Sequence, residues 1–205
     1  HRLPLHPPSK DPAMNAKKIS IVLLLAVLAI AFFIGMKTFR QQEQAAQETI
    51  VRAEATRLVR MHSPVLGAQN APVTIVEFFD PACEACRAFY PFVKQLLAQY
   101  PTQVKVVIRY APFHNGSDQV VHLLEAARRQ GQNEEGVEAG LATQPVWADH
   151  GQPRPALAWN ALEGLGLNIP QAKADAQRPE IAAALAQDVE DLGVLKVSKT
   201  PTFFV

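Results

Sequence analysis

The sequence predicts an α/β domain that follows one N-terminal transmembrane helix and a helical stalk. Three patterns support this prediction: an apolar run near the N-terminus, a strand–helix–strand succession over 73–110, and a long helical block before a further strand-forming run. Four segments are expected along the chain: a disordered, charged segment at 1–18, a transmembrane anchor at 19–36, a stalk or linker at 37–62, and the domain at 63–205 with its helical insert at about 115–193.

The predicted anchor, Ile19–Met36, is interrupted only by Ser20 and Gly35. As a helix it would be about 27 Å long, close to the hydrocarbon thickness of a bilayer. A buried core helix and a cleaved signal peptide are the alternatives. The run is longer than the apolar region of most signal peptides, and Lys37 and Arg40 follow it directly, which is more typical of an uncleaved anchor. Basic residues flank the run on both sides, so local charge alone leaves the orientation open.

The domain begins with a strand–helix–strand unit. Val73–Phe79 is rich in β-branched and aromatic residues, Cys83–Tyr100 follows helical spacing, and Val104–Tyr110 is a second strand-forming run. A strand, a helix and a strand in about 40 residues predict two parallel strands joined by a right-handed crossover. Helices are then expected near 118–130, 134–143, 155–164 and 179–192, and strand character returns at 199–205. Helical spacing places five apolar residues on one face of the helix after Cys83: Phe89, Phe92, Val93, Leu96 and Leu97.

The chain has two cysteines, Cys83 and Cys86, three positions apart at the start of the predicted helix. A helix N-terminus offers free N–H groups and the positive end of the helix dipole, which favour a thiolate on the first cysteine. The second lies one turn further on, where it can resolve a mixed disulfide. We therefore predict Cys83 as the nucleophile and Cys86 as the resolving thiol. A zinc site needs about four ligands, so two cysteines do not support a metal, and two inert buried thiols are the remaining alternative.

Two separate motifs now indicate a family. Residues 77–86, Glu-Phe-Phe-Asp-Pro-Ala-Cys-Glu-Ala-Cys, and residues 200–203, Thr-Pro-Thr-Phe, resemble in order and distance the DsbA-like branch of the thioredoxin superfamily. The resemblance covers about residues 64–205 and implies a thioredoxin-like fold with an inserted helical block. It also implies further residues beyond Val205, namely another strand and a final helix, so the sequence is expected to be a C-terminally truncated fragment.

The resemblance implies roles for three further residues. Pro201 matches a cis-proline that lies against the cysteine pair, and the Thr200 backbone would pair with bound substrate. A plain proline at the start of a strand is the alternative. Glu77 matches an acid that manages the proton of the second cysteine, since burial raises the pKa of a carboxyl group. The alternative is a glutamate facing water from an edge strand.

Three more residues are predicted to belong to the site. Glu84 and Ala85 lie between the cysteines, where a carboxylate disfavours a second negative charge and so tunes the redox potential. We expect a potential between about −270 mV for thioredoxin and about −120 mV for DsbA. His114 follows the second predicted strand and is a further candidate, because ligands gather at the carboxyl ends of parallel strands. A loop histidine bonded to backbone is the alternative.

The predicted function is thiol–disulfide exchange with extracytoplasmic, cysteine-containing protein substrates, supported by a membrane or soluble partner that recycles the cysteine pair. We expect no cofactor beyond the Cys83–Cys86 disulfide and no metal. Residues 41–205 carry 14 basic and 18 acidic side chains, which argues against nucleic-acid binding. A redox pair needs an oxidising compartment, so we expect a single-pass protein of the bacterial inner membrane whose domain faces the periplasm. The alternative is a membrane-tethered peptide-binding or chaperone module without redox turnover.

Overall fold

The computed structural model describes residues 16–149 and 151–205. Most of the predicted N-terminal segment, residues 1–15, lies outside these ranges. The chain divides into two units, one that ends at Thr49 and one that comprises Ile50–Val205.

Over its described residues the first unit consists of one long helix, α1 (Ala16–Ala53), which continues four residues into the second unit. Its stretch Ile19–Ala46 is long and apolar enough to cross a membrane, with a mean hydropathy of 3.0 over its most apolar 18 residues. None of that window is buried against protein. An exposed apolar surface of this length is suited to lipid, which favours a membrane segment over a buried core helix.

The predicted stalk at 37–62 is divided between the two units. Residues up to Thr49 belong to the first unit, whereas those from Ile50 onward belong to the compact unit and include the end of α1 and the short helix α2 (Ala55–Leu58). Leu58 is buried in that unit's core. The compact unit therefore begins about a dozen residues before the predicted domain boundary.

The compact unit is built on a mixed four-stranded sheet. Its strands are β1 (Val65–Gly67), β2 (Val73–Phe79), β3 (Val104–Tyr110) and β4 (Thr202–Phe204), in the spatial order β1-β3-β2-β4. The central pair β2 and β3 is parallel, and both outer strands pair antiparallel to it. The predicted crossover unit and α/β fold class are confirmed, and β1 is a strand that the sequence pattern did not indicate.

The crossover helix α3 (Glu84–Gln99) lies on one face of the sheet, but its buried face differs from the apolar face that helical spacing indicates. Its buried residues are Cys86, Tyr90 and Val93, whereas Phe89 is 49% and Phe92 is 66% exposed. The helix carries two overlapping apolar stripes, and the sheet covers the stripe that continues from Cys86. Of the apolar face indicated by helical spacing, Val93 is buried, whereas Phe89 and Phe92 stay exposed.

A helical block separates β3 from β4, as predicted. It comprises α4 (Ser117–Arg129), α5 (Asn133–Ala142), α6 (Gln144–Trp147), a 3₁₀ turn (Pro155–Ala158), α7 (Trp159–Glu163), α8 (Ile169–Asp175) and α9 (Pro179–Val194). The short helices α6 and α8 were not predicted. Together with α3, part of this block covers one face of the sheet, and the C-terminal end of α9 contributes to a second core on the other face.

Candidate active site

The two cysteines lie where β2 gives way to α3. After β2 ends at Phe79, the turn Asp80-Pro81-Ala82 leads to Cys83, which is the N-cap residue of the helix. This is the carboxyl end of a central parallel strand, the edge at which ligands of α/β proteins bind. Cys83 is 7% exposed and Cys86, one turn into the helix, is fully buried. Both thiols are free, so the structure represents the reduced state.

The fold brings the predicted residues Thr200 and Pro201 to Cys83 across 117 positions of sequence. The Thr200–Pro201 peptide bond is cis, and the Cys83 thiol donates a hydrogen bond to the Thr200 carbonyl oxygen, with 3.4 Å between Sγ and O. The loop before β4 therefore faces the more accessible cysteine. Pairing of the Thr200 backbone with a substrate segment stays a prediction.

Cys86 lies in an environment that disfavours its thiolate. Burial raises the pKa of the Cys86 thiol well above its ordinary value, and the nearby Cys83 and Glu77 raise it further, against the lowering effect of a hydrogen bond with the Asp80 backbone. Cys86 therefore holds its proton at neutral pH in the reduced state. Any attack by Cys86 needs a group that removes this proton.

Glu77 occupies the middle of β2, between β3 and β4, where it is level with Ile108 and Phe203. It is 2% exposed, so the interpretation as a water-facing edge residue is wrong. Strand alternation directs it to the same face as Ile75 and Phe79, the face covered by α3. Burial raises the pKa of Glu77 to about 8. A carboxyl group with this pKa can exchange a proton near neutral pH, and its predicted catalytic role stays untested.

Replacing Glu77 with Gln is expected to change how stability depends on pH. The folded pKa lies above the unfolded value of about 4.3, so the wild-type protein loses stability as pH rises from the unfolded value toward the folded one. Between pH 5 and pH 7 this loss amounts to roughly 2 to 3 kcal/mol, at about 1.4 kcal/mol for each pH unit. Denaturant unfolding at several pH values, followed by the fluorescence of Trp147 and Trp159, measures the free energy of unfolding and hence this loss. The Gln variant should show a flat profile over this range, and a parallel decline in both proteins would contradict the assignment.

Asp80, which the sequence analysis did not single out, organises the turn before the cysteines. Its buried carboxylate accepts hydrogen bonds from the Ala82 N–H at 2.9 Å, from the Phe113 and His114 N–H groups, and from the Ser117 hydroxyl. A fully buried carboxylate is stable only when it is bonded in this way. Asp80 thereby ties the active-site turn to the loop after β3.

The predicted site residue His114 lies in that loop. Its Nδ1 is 2.7 Å from Asp80 Oδ2, so the ring bonds to a carboxylate rather than to backbone alone. His114 also lines a cavity of about 190 Å³, together with Ala82, Phe113, Asn115, Ala148 and Asp149. The structure therefore connects His114 to the turn that carries Cys83, although a role in the reaction stays a prediction.

Gln144 is a second residue that the sequence analysis missed. It lies at the start of α6, and its side-chain amide donates to the backbone carbonyls of Pro81 and Cys83 at 2.8 and 3.0 Å. Glu84 and Ala85, the predicted tuning residues, are exposed in the first turn of α3. Within residues 16–149 and 151–205, no three His, Cys, Asp or Glu side chains are grouped to hold a metal ion.

Comparison with known proteins identifies one family over the compact unit. The profile of a family described as Thioredoxin matches residues 60–205. The crystal structure of a thioredoxin-like oxidoreductase from Silicibacter pomeroyi is 30% identical, with a TM-score of 0.63 over 73% of this chain and 83% of that one. The thiol-disulfide exchange protein α-DsbA2 from Wolbachia pipientis has a TM-score of 0.69 at 17% identity, over 80% of this chain and 86% of that one, and this likeness concerns the fold.

Sequence relatives of a different kind come from membrane transporters. The Na⁺/H⁺ antiporter NhaA 3 of Salinispora tropica is 28% identical over 204 residues, which cover 95% of this chain and 30% of the antiporter. The antiporter NhaA of Herminiimonas arsenicoxydans is 27% identical over 141 residues, or 69% of this chain and 22% of that protein. The chain thus spans less than a third of the length of these relatives.

Proposed function

Because the chain belongs to the thioredoxin family, we propose that it exchanges thiols and disulfides with cysteine-containing protein substrates through Cys83 and Cys86. The fold predicted from the two motifs is confirmed as thioredoxin-like, with DsbA-like proteins among its structural neighbours. The observation that supports the proposal most directly is the contact of Cys83 Sγ with the Thr200 carbonyl, above a buried second thiol. This arrangement supports a role for Cys83 in meeting the substrate and for Cys86 in completing the exchange.

The proposed reaction proceeds in two steps that conserve atoms and electrons. In the reducing direction, the Cys83 thiolate attacks one sulfur of a substrate disulfide, the substrate S–S bond breaks, and the leaving thiolate takes a proton. Cys86 then gives up its proton, attacks Cys83 Sγ and releases the second substrate thiol, so two electrons pass to the substrate. Oxidation of a substrate is the same sequence in reverse. The redox group is the cysteine pair itself, without a bound cofactor or metal.

We propose that Glu77 carries the proton of Cys86. The electrostatic interaction between the two groups raises the Cys86 pKa, and Glu77 has a pKa of about 8, so it changes protonation close to physiological pH. A deprotonated Glu77 can accept the proton that Cys86 must lose before it attacks. A protonated Glu77 can return it when Cys86 leaves the disulfide.

A transfer assay with the whole chain in detergent tests the function. The oxidised protein is mixed with a reduced, unfolded two-cysteine polypeptide, and the thiols of both partners are counted after alkylation. Redox exchange oxidises one substrate pair for each Cys83–Cys86 pair that is reduced. The alternative, a tethered peptide-binding module, would bind the polypeptide while both thiol counts stay constant.

We further propose that the domain faces the extracytoplasmic side of the bacterial inner membrane, with a membrane or soluble partner that recycles the cysteine pair. The apolar helix α1 supports anchoring. The S. tropica antiporter, a membrane protein, matches 95% of the chain, which leaves only about ten residues outside the match, so most of α1 falls within it. Antiport itself is not proposed, because the match comprises 30% of that protein.

A reporter enzyme that is active only after export, fused after Thr49, is expected to be active and to stay in the membrane fraction. The reason is that residues 19–46 would hold the fusion in the bilayer with its C-terminal side outside the cytoplasm. The matched control lacks residues 19–36 and should be inactive. Activity of the control, or an inactive intact fusion, would contradict the proposed topology, and active reporter in the soluble fraction would indicate a cleaved signal peptide.

A further inference from the structure

Gln144 enters the active site from the helical block and binds its backbone. The side-chain Nε2 donates to the carbonyl oxygens of Pro81 and Cys83, the two residues that flank Ala82. Carbonyl oxygens only accept hydrogen bonds, so the –NH₂ end of the amide must face them and its orientation is determined by chemistry. The residue is 1% exposed, so water does not compete for these bonds.

Asp80 binds the same turn through the backbone N–H of Ala82. Its Oδ1 accepts from the Ala82 N–H at 2.9 Å, between the two carbonyls that Gln144 holds. One backbone group each of Pro81, Ala82 and Cys83 is therefore bonded to one of two buried side chains. Asp80 begins the turn that leads to Cys83, whereas Gln144 lies 61 positions beyond Cys83.

Gln144 is itself held firmly. It begins the single-turn helix α6, in which the Ala148 N–H donates to the Gln144 carbonyl at 2.8 Å. Trp147, at the other end of α6, is fully buried, and its indole N–H donates to the Gly140 carbonyl at 3.1 Å. The tryptophan thus anchors α6 to α5, and the position of Gln144 is determined by the packing of the helical block.

The other end of the Gln144 amide argues against a role in packing alone. Its Oε1 is buried and has no hydrogen-bond partner among the described residues. A buried carbonyl oxygen left without a partner costs about 1 to 3 kcal/mol, and an apolar side chain of the same size would avoid this cost. The residue therefore carries a stability penalty that the two bonds to the active-site turn offset, which is a pattern more typical of a functional group than of a core residue.

We propose that Gln144 is a positioning residue for thiol–disulfide exchange, which holds the Pro81 and Cys83 carbonyls so that Cys83 Sγ stays aligned with the Thr200 loop. This inference rests on the proposed function. The carbonyl oxygens carry negative partial charge next to the atom on which a full negative charge develops. Bonding them to an –NH₂ group offsets that charge and prevents the turn from rotating an oxygen toward the sulfur, as fixed dipoles do in other active sites.

The test compares Gln144→Met with Gln130→Met, both in the whole chain in detergent. Methionine fills a similar volume and removes the unpartnered oxygen together with the two bonds. The cost of leaving the Pro81 carbonyl without this donor is therefore partly offset, and Gln144→Met should still fold. Gln130 is a matched control, because its amide exchanges two hydrogen bonds with the Asn168 backbone in the same helical block. The measured quantities are the rate of Cys83 alkylation across pH and the rate of disulfide transfer.

We expect Gln144→Met to slow both reactions by about fivefold to tenfold, the size of effect that the loss of a hydrogen bond produces. Gln130→Met should match the wild-type rates. Equal rates in wild type and Gln144→Met would overturn the inference while leaving the proposed function intact. If the wild-type chain itself fails to transfer disulfides, the proposed function fails, whereas the alkylation rates still decide whether Gln144 controls Cys83 reactivity.

Two further measurements remain decisive should Gln144→Met fail to fold. In Gln144→Glu, a protonated carboxyl group can still donate to one carbonyl, but a carboxylate cannot. The rate of Cys83 alkylation in this variant, relative to wild type, should therefore rise as pH falls. In wild type, the side-chain amide protons of Gln144 should exchange slowly and shift in NMR spectra when the cysteines are oxidised, unlike those of Gln130. If the Gln144 amide protons exchange fast and their chemical shifts do not change on oxidation of the cysteines, the inference is overturned.

Discussion

A Cys86→Ala variant is expected to accumulate mixed disulfides between Cys83 and its protein substrates. Cys83 caps the helix beside the Thr200 loop, where it can meet a substrate sulfur, and Cys86 lies fully buried beneath it. Without the second thiol, a mixed disulfide can be released only by a thiol from solution. A positioned internal thiol has an effective concentration far above that of free thiols, so the lifetime of the complex should increase by a factor of at least about 100.

The matched control is Cys83→Ala, in which the only remaining thiol is the buried one. Burial raises the Cys86 pKa well above its ordinary value, so this variant keeps a protonated, inaccessible sulfur and should trap very few partners. The complexes are counted on non-reducing gels after alkylation in acid and identified by mass spectrometry. Similar trapping by the two variants would show that the roles of nucleophile and resolving thiol are assigned wrongly.

The parts of the site that the sequence revealed are those with a local pattern. Cys83 and Cys86 lie at a predicted junction of strand and helix, and strand residues 73–79 and 104–110 have the composition of buried parallel strands. Pro201 could be placed because its motif follows the cysteine motif at a characteristic distance. Local propensity and short motifs therefore determine the crossover unit and the positions of the two cysteine sulfurs.

Asp80 and Gln144 carried no such signal. Each is a single polar residue in a turn or at a helix start, and their importance comes from bonds to groups that the fold alone brings near. The same limit applies to α3, where Phe89 and Phe92 lie on the apolar face that helical spacing indicates but the sheet covers the neighbouring stripe. The strand β1 consists of three residues, which is too short for periodicity to indicate. Tertiary pairing decides these features.

The buried Arg109 is another residue whose role the sequence concealed, since it lies within a run of strand-forming residues. It is fully buried on the sheet face opposite α3, where its guanidinium lies 5.4 Å from the centre of the Phe78 ring. Its Nε donates to Asp188 Oδ1 at 2.8 Å and a terminal nitrogen donates to Asp191 Oδ2 at 2.7 Å. Both aspartates are buried on α9 and have further partners. Asp191 also accepts from Arg57 and Arg60. Asp188 also bonds to the His62 ring and accepts from the Tyr110 N–H. The network thereby links β3, α9 and the segment that follows α1.

Replacing Arg109 with Met is expected to lower the free energy of unfolding by about 3 to 5 kcal/mol, because the change leaves two buried carboxylates without their shared cation. The matched control is Lys94→Met, which removes the cation of an exposed pair with Glu138 and should cost less than about 1 kcal/mol. Denaturant unfolding, followed by tryptophan fluorescence, compares them. Equal losses in the two variants would contradict the importance of the buried network.

The same network predicts how the fold responds to acid. Burial opposes ionisation of Asp191, but hydrogen bonds from Arg60, Arg109 and Arg57 outweigh this effect and lower its pKa to about 2. A group whose folded pKa is depressed contributes stability above its unfolded pKa of about 3.9, and this contribution is lost as pH falls toward the folded value. The wild-type protein should therefore lose stability between pH 4 and pH 2, and Asp191→Asn should be less stable at pH 7 but lose less over this interval.

Since the network lies on the face away from the cysteines, disulfide transfer per folded molecule should stay at the wild-type rate in both Arg109→Met and Asp191→Asn. A slower transfer by the folded fraction would show that the network also acts on the active site.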